Sequence, residues 1–126
     1  MMKEVDEPIC GEPHSERPEG RKPSVSAETL ERAAGLFAAL GDPPRLRLLS
    51  LLAQGPACVS DLAADESEGI STISQRLKVL RNASLVRRRR RGKHIEYSLA
   101  DQHVVDLVFS GLAHAGEGPS RTALEE

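Results

Sequence analysis

The hydrophobic period changes halfway through residues 70–99, ISTISQRLKVLRNASLVRRRRRGKHIEYSL. In the first half, Ile70, Ile73, Leu77 and Leu80 recur at steps of three and four, the spacing of a helix with one buried stripe. In the second, Ile95, Tyr97 and Leu99 alternate with Glu96 and Ser98, the spacing of a strand with one buried face. Gly92 stands where a tight turn is needed, so residues 85–90 are predicted as the partner strand. A helix that runs directly into a basic hairpin leaves few architectures open.

The flanking segments narrow them further. SAETLERAAGLFAAL places Leu30, Ala33, Ala34, Phe37 and Leu40 at helical spacing, with Ser26 as N-cap and Gly41 as stop. Asp42 then caps a second helix with Pro43 in its first turn, where a missing N–H costs nothing. Leu46, Leu49 and Leu52 are its inward residues, and Gly55-Pro56 ends it. A short helix, ACVSDLAAD, precedes the polar turn DESEG. The last amphipathic segment, DQHVVDLVFSGLAHAGE, spans 101–117, and Val104, Leu107, Val108 and Leu112 are expected to need a partner for burial. The reading is mainly α with a two-stranded β-hairpin: a winged helix-turn-helix, a homodimer through its N- and C-terminal helices. Residues 26–117 form that domain. Residues 1–25, rich in Pro, Gly, Glu and Ser, and the tail 118–126 are predicted to be disordered.

Composition bears on the core and the partners. In 126 residues there are two Phe, one Tyr and no Trp, so the core must be aliphatic and small. That favours pairing with a second subunit. Residues 30–100 carry twelve basic and seven acidic groups, a net +5, between ends of −3 and −4. A basic middle points to a polyanion, although a solvated surface would have the same composition. The acidic, polar N-terminus is not a signal peptide, and no apolar run is long enough to cross a membrane. Cys10 and Cys58 make no disulfide framework; reduced thiols and a cytoplasmic setting are expected.

A helix that enters a major groove needs short polar and amide groups for base edges and cations for phosphates. Ser71, Thr72, Ser74, Gln75 and Lys78 supply them on one face, opposite the buried stripe. In a strand, alternate residues of Arg87–Arg91 point to opposite faces, so about half of the run reaches DNA. Arg88, Arg90 and Lys93 are the residues assigned to that role, while His94 is read as structural or DNA-proximal.

LGDPPRLRLLSLL (40–52), CVSDLA (58–63), STISQRLKVLRNASLV (71–86) and GKHIEYSL (92–99) resemble the ArsR/SmtB metalloregulatory repressors, and most closely their zinc-sensing SmtB-like members. The resemblance spans about residues 27–117 and two positions of the arm. The turn DESEG departs from it, being polar where the family places apolar residues. The resemblance implies a homodimeric repressor that leaves double-stranded operator DNA when metal binds.

Four residues of the last helix fit that implication. His103 and His114 are eleven residues apart, on nearly one face but ~16 Å apart along the axis, too far to share an ion within one helix. Antiparallel pairing of two copies across a two-fold axis brings His103 of one chain to His114 of the other. Glu117 shares a face with His114, and Asp101 reaches from the helix start. Two N and two O donors suit tetrahedral Zn²⁺. The family's interhelical zinc site has this D-x-H, ten residues, H-x-x-E spacing. Singly, each residue has an ordinary reading: Asp101 as an N-cap, His103 as an interface histidine, Glu117 as a solvated helix end. A second set, weaker, combines Cys58 and Asp61 of the short helix with Cys10 and His14 of the arm, matching a second family site between one subunit's arm and the other's helix. Its thiolates would accommodate Cd²⁺, and Co²⁺ would serve in vitro. A buried Cys58, a capping Asp61 and an accidental arm pair would account for the same residues.

A thiol-redox regulator using Cys10 and Cys58 is the competing reading, and it leaves the four-residue helix set unexplained. A zinc hydrolase needs an open coordination position and a general base. These are complete ligand sets without a nucleophile–base pair, so an enzyme is not expected.

Overall fold

The computed structural model describes residues 20–22 and 24–117; the expected arm ligands Cys10 and His14, and the tail 118–126, lie outside the described residues. Five helices and three strands follow in order: α1 (Ala27–Leu40), α2 (Pro43–Leu52), β1 (Ala57–Cys58), α3 (Val59–Glu66), α4 (Ile70–Asn82), β2 (Val86–Arg91), β3 (His94–Leu99) and α5 (Gln102–Glu117).

Local chemistry sets the boundaries. The Ser26 hydroxyl accepts from Thr29 N at 3.1 Å and starts α1. Asp42 accepts from Arg45 N at 3.2 Å and starts α2, with proline in its first turn. Arg45 folds back, and its Nε donates to Ala39 O at 2.9 Å, placing a cation on the open carbonyls at the end of α1. Helices α3 and α4 both end in Schellman motifs closed by serines in the left-handed region, Ser67 at φ 54° and Ser84 at φ 63°. In the second, Leu85 N donates to Leu80 O at 2.9 Å and Ser84 N to Arg81 O at 3.0 Å. Leu80 and Leu85 are both fully buried, which is the apolar contact that accompanies this motif.

The sheet is antiparallel with strand order β1-β3-β2. Arg91 pairs with His94 across the two-residue turn Gly92-Lys93. Gly92, at φ 62°, supplies the positive φ that a type II′ turn needs at its first central residue. The core gathers Leu48, Leu49, Leu62, Ile73, Leu77, Leu80, Leu85 and Val108, all fully buried.

Three expectations are corrected, and one helix face is left open. Ala57–Cys58 is a strand paired to Tyr97 and Glu96, not the first turn of α3, so the hairpin belongs to a three-stranded sheet. Ile70 is 53% exposed rather than part of the buried stripe, because it sits in the first turn of α4, away from the Ile73–Leu77–Leu80 line that the core covers. Leu30 and Phe37 of α1 are exposed, while Ala39 is buried in the core and Leu36 and Leu40 pack against it. Val104 and Val108 pack into this chain's own core and not onto a partner; Phe109 and Leu112 are the exposed apolar residues of α5.

Candidate nucleic-acid interface and metal centre

Helices α3 and α4 with the turn at Ser67 form the helix-turn-helix, and β2 and β3 the wing. On α4, Ser71, Ser74, Gln75 and Lys78 are exposed and Thr72 is half-buried. This polar face opposes Ile73, Leu77 and Leu80, as the periodicity requires. The two arginines of the helix differ. Arg76 reaches Glu68 in the turn at 3.4 Å. Arg81 is half-buried, and its Nε is buried without a hydrogen-bond partner among the described residues.

Strand register divides the arginine run. Arg89 is paired directly with Glu96, and Arg89 and Arg91 both lie 3.8 Å from its carboxylate. Arg88 and Arg90 point to the other face, across from Tyr97 and Ile95. The residues singled out in the sequence, Arg88, Arg90 and Lys93, make no ion pair among the described residues. Glu96 as the anchor of one arginine face went unnoticed in the sequence; two-fold alternation counted back from Gly92 would have placed it opposite Arg89.

The α5 residues are partly assembled. Asp101 is the N-cap: its Oδ1 accepts from Val104 N at 3.1 Å and lies 3.5 Å from His103 Nδ1. The His103 side chain is otherwise almost fully exposed. His114 and Glu117 are exposed in the last turn. One chain therefore joins Asp101 to His103 and leaves His114 and Glu117 at the far end, and no group of three potential ligands occurs among the described residues. In the second set, Cys58 is the extended N-cap of α3, half-buried, with Sγ 3.2 Å from Ser60 Oγ. Pairing with β3 places Cys58 at the end of the sheet, just before α3 and not within it; Asp61, at the third helical position, is exposed.

Three helices about an aliphatic core, a polar-faced helix and a basic wing define a winged helix-turn-helix DNA-binding protein. Residues 42–88 match the model of the bacterial regulatory protein, arsR family. The chain is 44% identical over 113 residues to a transcriptional repressor SmtB homolog of Synechocystis, covering 87% of this chain and 86% of that one. It is 30% identical over 105 residues to a cadmium resistance regulatory protein, a CadC homolog of Staphylococcus aureus, covering 82% and 87%. A homodimeric winged helix-turn-helix DNA-binding domain from Mycobacterium bovis superimposes with a TM-score of 0.72 at 30% identity, covering 80% of this chain and 94% of that one. The chain belongs to the ArsR/SmtB family of transcriptional regulators. It is not an enzyme, and no described helix is long and apolar enough to cross a membrane.

Proposed function

We propose that this protein is a zinc-responsive repressor, a homodimer that releases operator DNA when metal is bound at the dimer interface. The observation that carries the reading is the division of α5. Asp101 and His103 are together at its start, and His114 and Glu117 share its end, so each chain holds two half-sites. A partner running antiparallel completes two sets of two nitrogens and two oxygens. That donor chemistry fits a tetrahedral Zn²⁺ better than a soft thiophilic ion. A relative named for cadmium resistance supports metal as the class of signal.

The residues of the chain do the rest. Ser71, Thr72, Ser74, Gln75 and Lys78 meet bases and phosphates, and Arg88, Arg90 and Lys93 hold the flanking backbone. When bound, the metal would supply a tie between two α5 helices. Each α5 is joined closely to its own reading unit. Ala100 N, one residue before Asp101, donates to Leu85 O at 3.0 Å, and Leu85 N donates to Leu80 O of α4 at 2.9 Å. A change in the angle between the two α5 helices therefore moves the two α4 helices, and half-site spacing decides whether both dock. The Cys58–Asp61 set, with Cys10 and His14, is a second metal site of softer character. It is less needed for release, because neither Cys58 nor Asp61 lies on the reading helix α4.

The test is the affinity for a duplex selected by the full chain from random DNA, titrated with zinc. Affinity should fall roughly hundredfold at saturation, and DNA should weaken zinc binding by the same factor. Unchanged affinity across the titration would overturn the reading.

A further inference from the structure

Among the described residues, the large hydrophobic side chains left exposed divide into two groups. Val25, Leu30, Phe37, Phe109 and Leu112 belong to α1, α5 and the segment before α1. Ile70 and Ile95 stand apart, on the helix and the wing of the DNA-binding surface. Ile70 is the more exposed of these two, 53% against 37%. It opens α4 between Gly69 and Ser71, and it precedes Ser74 by four residues, so the two share a face. Exposing a branched aliphatic side chain at this point gains nothing for the fold. A serine or asparagine there would leave the core unchanged and remove the apolar surface from water.

We propose that Ile70 is a sequence-reading residue that packs against the 5-methyl group of a thymine in the major groove. This deepens the operator-binding reading and rests on α4 being the helix that enters the groove. The chemistry is specific. Thymine is the one base whose major-groove edge carries a methyl group, and an apolar side chain recognises it by excluding water. The neighbouring Ser71, Ser74 and Gln75 supply hydrogen-bonding groups for adjacent base edges and no apolar surface of their own. Ile70 therefore adds a preference for T·A at one position of each half-site that Ser71, Ser74 and Gln75 cannot supply.

The experiment compares the parent with Ile70→Ala and Ile70→Val on one duplex, selected by the parent from random DNA. The duplex is prepared once with thymine and once with uracil throughout. Uracil lacks only the methyl group. One buried methyl is worth about fourfold, and two reading helices give roughly fifteenfold. The parent should lose about that much on the uracil duplex. Ile70→Ala should already be weaker on thymine DNA by a similar factor and lose less than about twofold more on uracil, while Ile70→Val should behave like the parent. Because Ile70 is exposed and alanine is the better helix former, the alanine variant should keep the parent's thermal midpoint. An equal uracil penalty for parent and Ile70→Ala would overturn the inference, since the penalty would then come from duplex shape. Ser74→Ala and Gln75→Ala separate the two levels. If they weaken binding while the uracil penalty ignores Ile70, this inference alone fails. If they leave affinity and selected sequence unchanged, α4 does not read DNA and both readings fall.

Discussion

Ser84 holds φ at 63°, a conformation that costs a residue with a Cβ about 1–2 kcal/mol. It is the pivot between α4 and the wing, and its geometry is kept by the two backbone bonds to Leu80 and Arg81 and by the burial of Leu85. Glycine would relieve the strain but add about 0.5–1 kcal/mol of chain entropy to be lost on folding. The Ser84→Gly variant should therefore be more stable by about 0.5–1 kcal/mol in urea denaturation. A loss of stability would mean that the serine side chain holds the turn. Asp101 makes two contacts at once. Its carboxylate caps α5 through Val104 N and also lies beside His103. The capping reading and the ligand reading of the sequence are thus compatible at the level of atoms.

At the scale of elements, the wing turns sequence alternation into division of labour. Strand alternation puts Arg89 and Arg91 on the face of Glu96, leaving Arg88 and Arg90 on the other, across from Tyr97 and Ile95. If each freed arginine neutralises one phosphate in each half-site, Arg88→Ala with Arg90→Ala should reduce the slope of log affinity against log salt by about 3.6. Arg89→Ala with Arg91→Ala should change it by less than half of that. Equal effects from the two pairs would contradict the division. The helices and the hairpin were legible in the sequence because caps, Gly92 and hydrophobic period are local signals. Strand β1 was not, since two residues cannot show a period and Ala57–Cys58 is extended only by pairing with Tyr97 and Glu96, some forty residues away along the chain. The exposure of Ile70 was hidden for a related reason: helical spacing marks a stripe but not where along the helix the covering elements stop.

For the whole molecule, the same limit applies to the partner. An apolar stripe says that a face is covered and not by which chain. Val104 and Val108 were assigned to a second subunit and belong to this chain's own core. Phe37, Leu107, Gly111 and Leu112 instead line a cavity of about 270 Å³ between α1 and α5, with Leu30 and Phe109 exposed on the same two helices. That surface is where the proposed second copy would pack, and such packing would place α5 at the centre of the dimer. The four α5 residues proposed as ligands stand out in the sequence because their spacing follows the helix. Their proposed assembly is not visible in one chain, because half of each set would come from a second copy.

The central claim is that metal held between two α5 helices sets the DNA affinity. It is tested most directly by His114→Gln in the zinc titration of operator binding. The substitution removes one imidazole from an exposed position and keeps a side chain compatible with the helix. The account predicts that the metal-free variant binds the operator within about twofold of the parent, and that the roughly hundredfold zinc effect is lost. A variant still released from DNA by zinc as readily as the parent would contradict it.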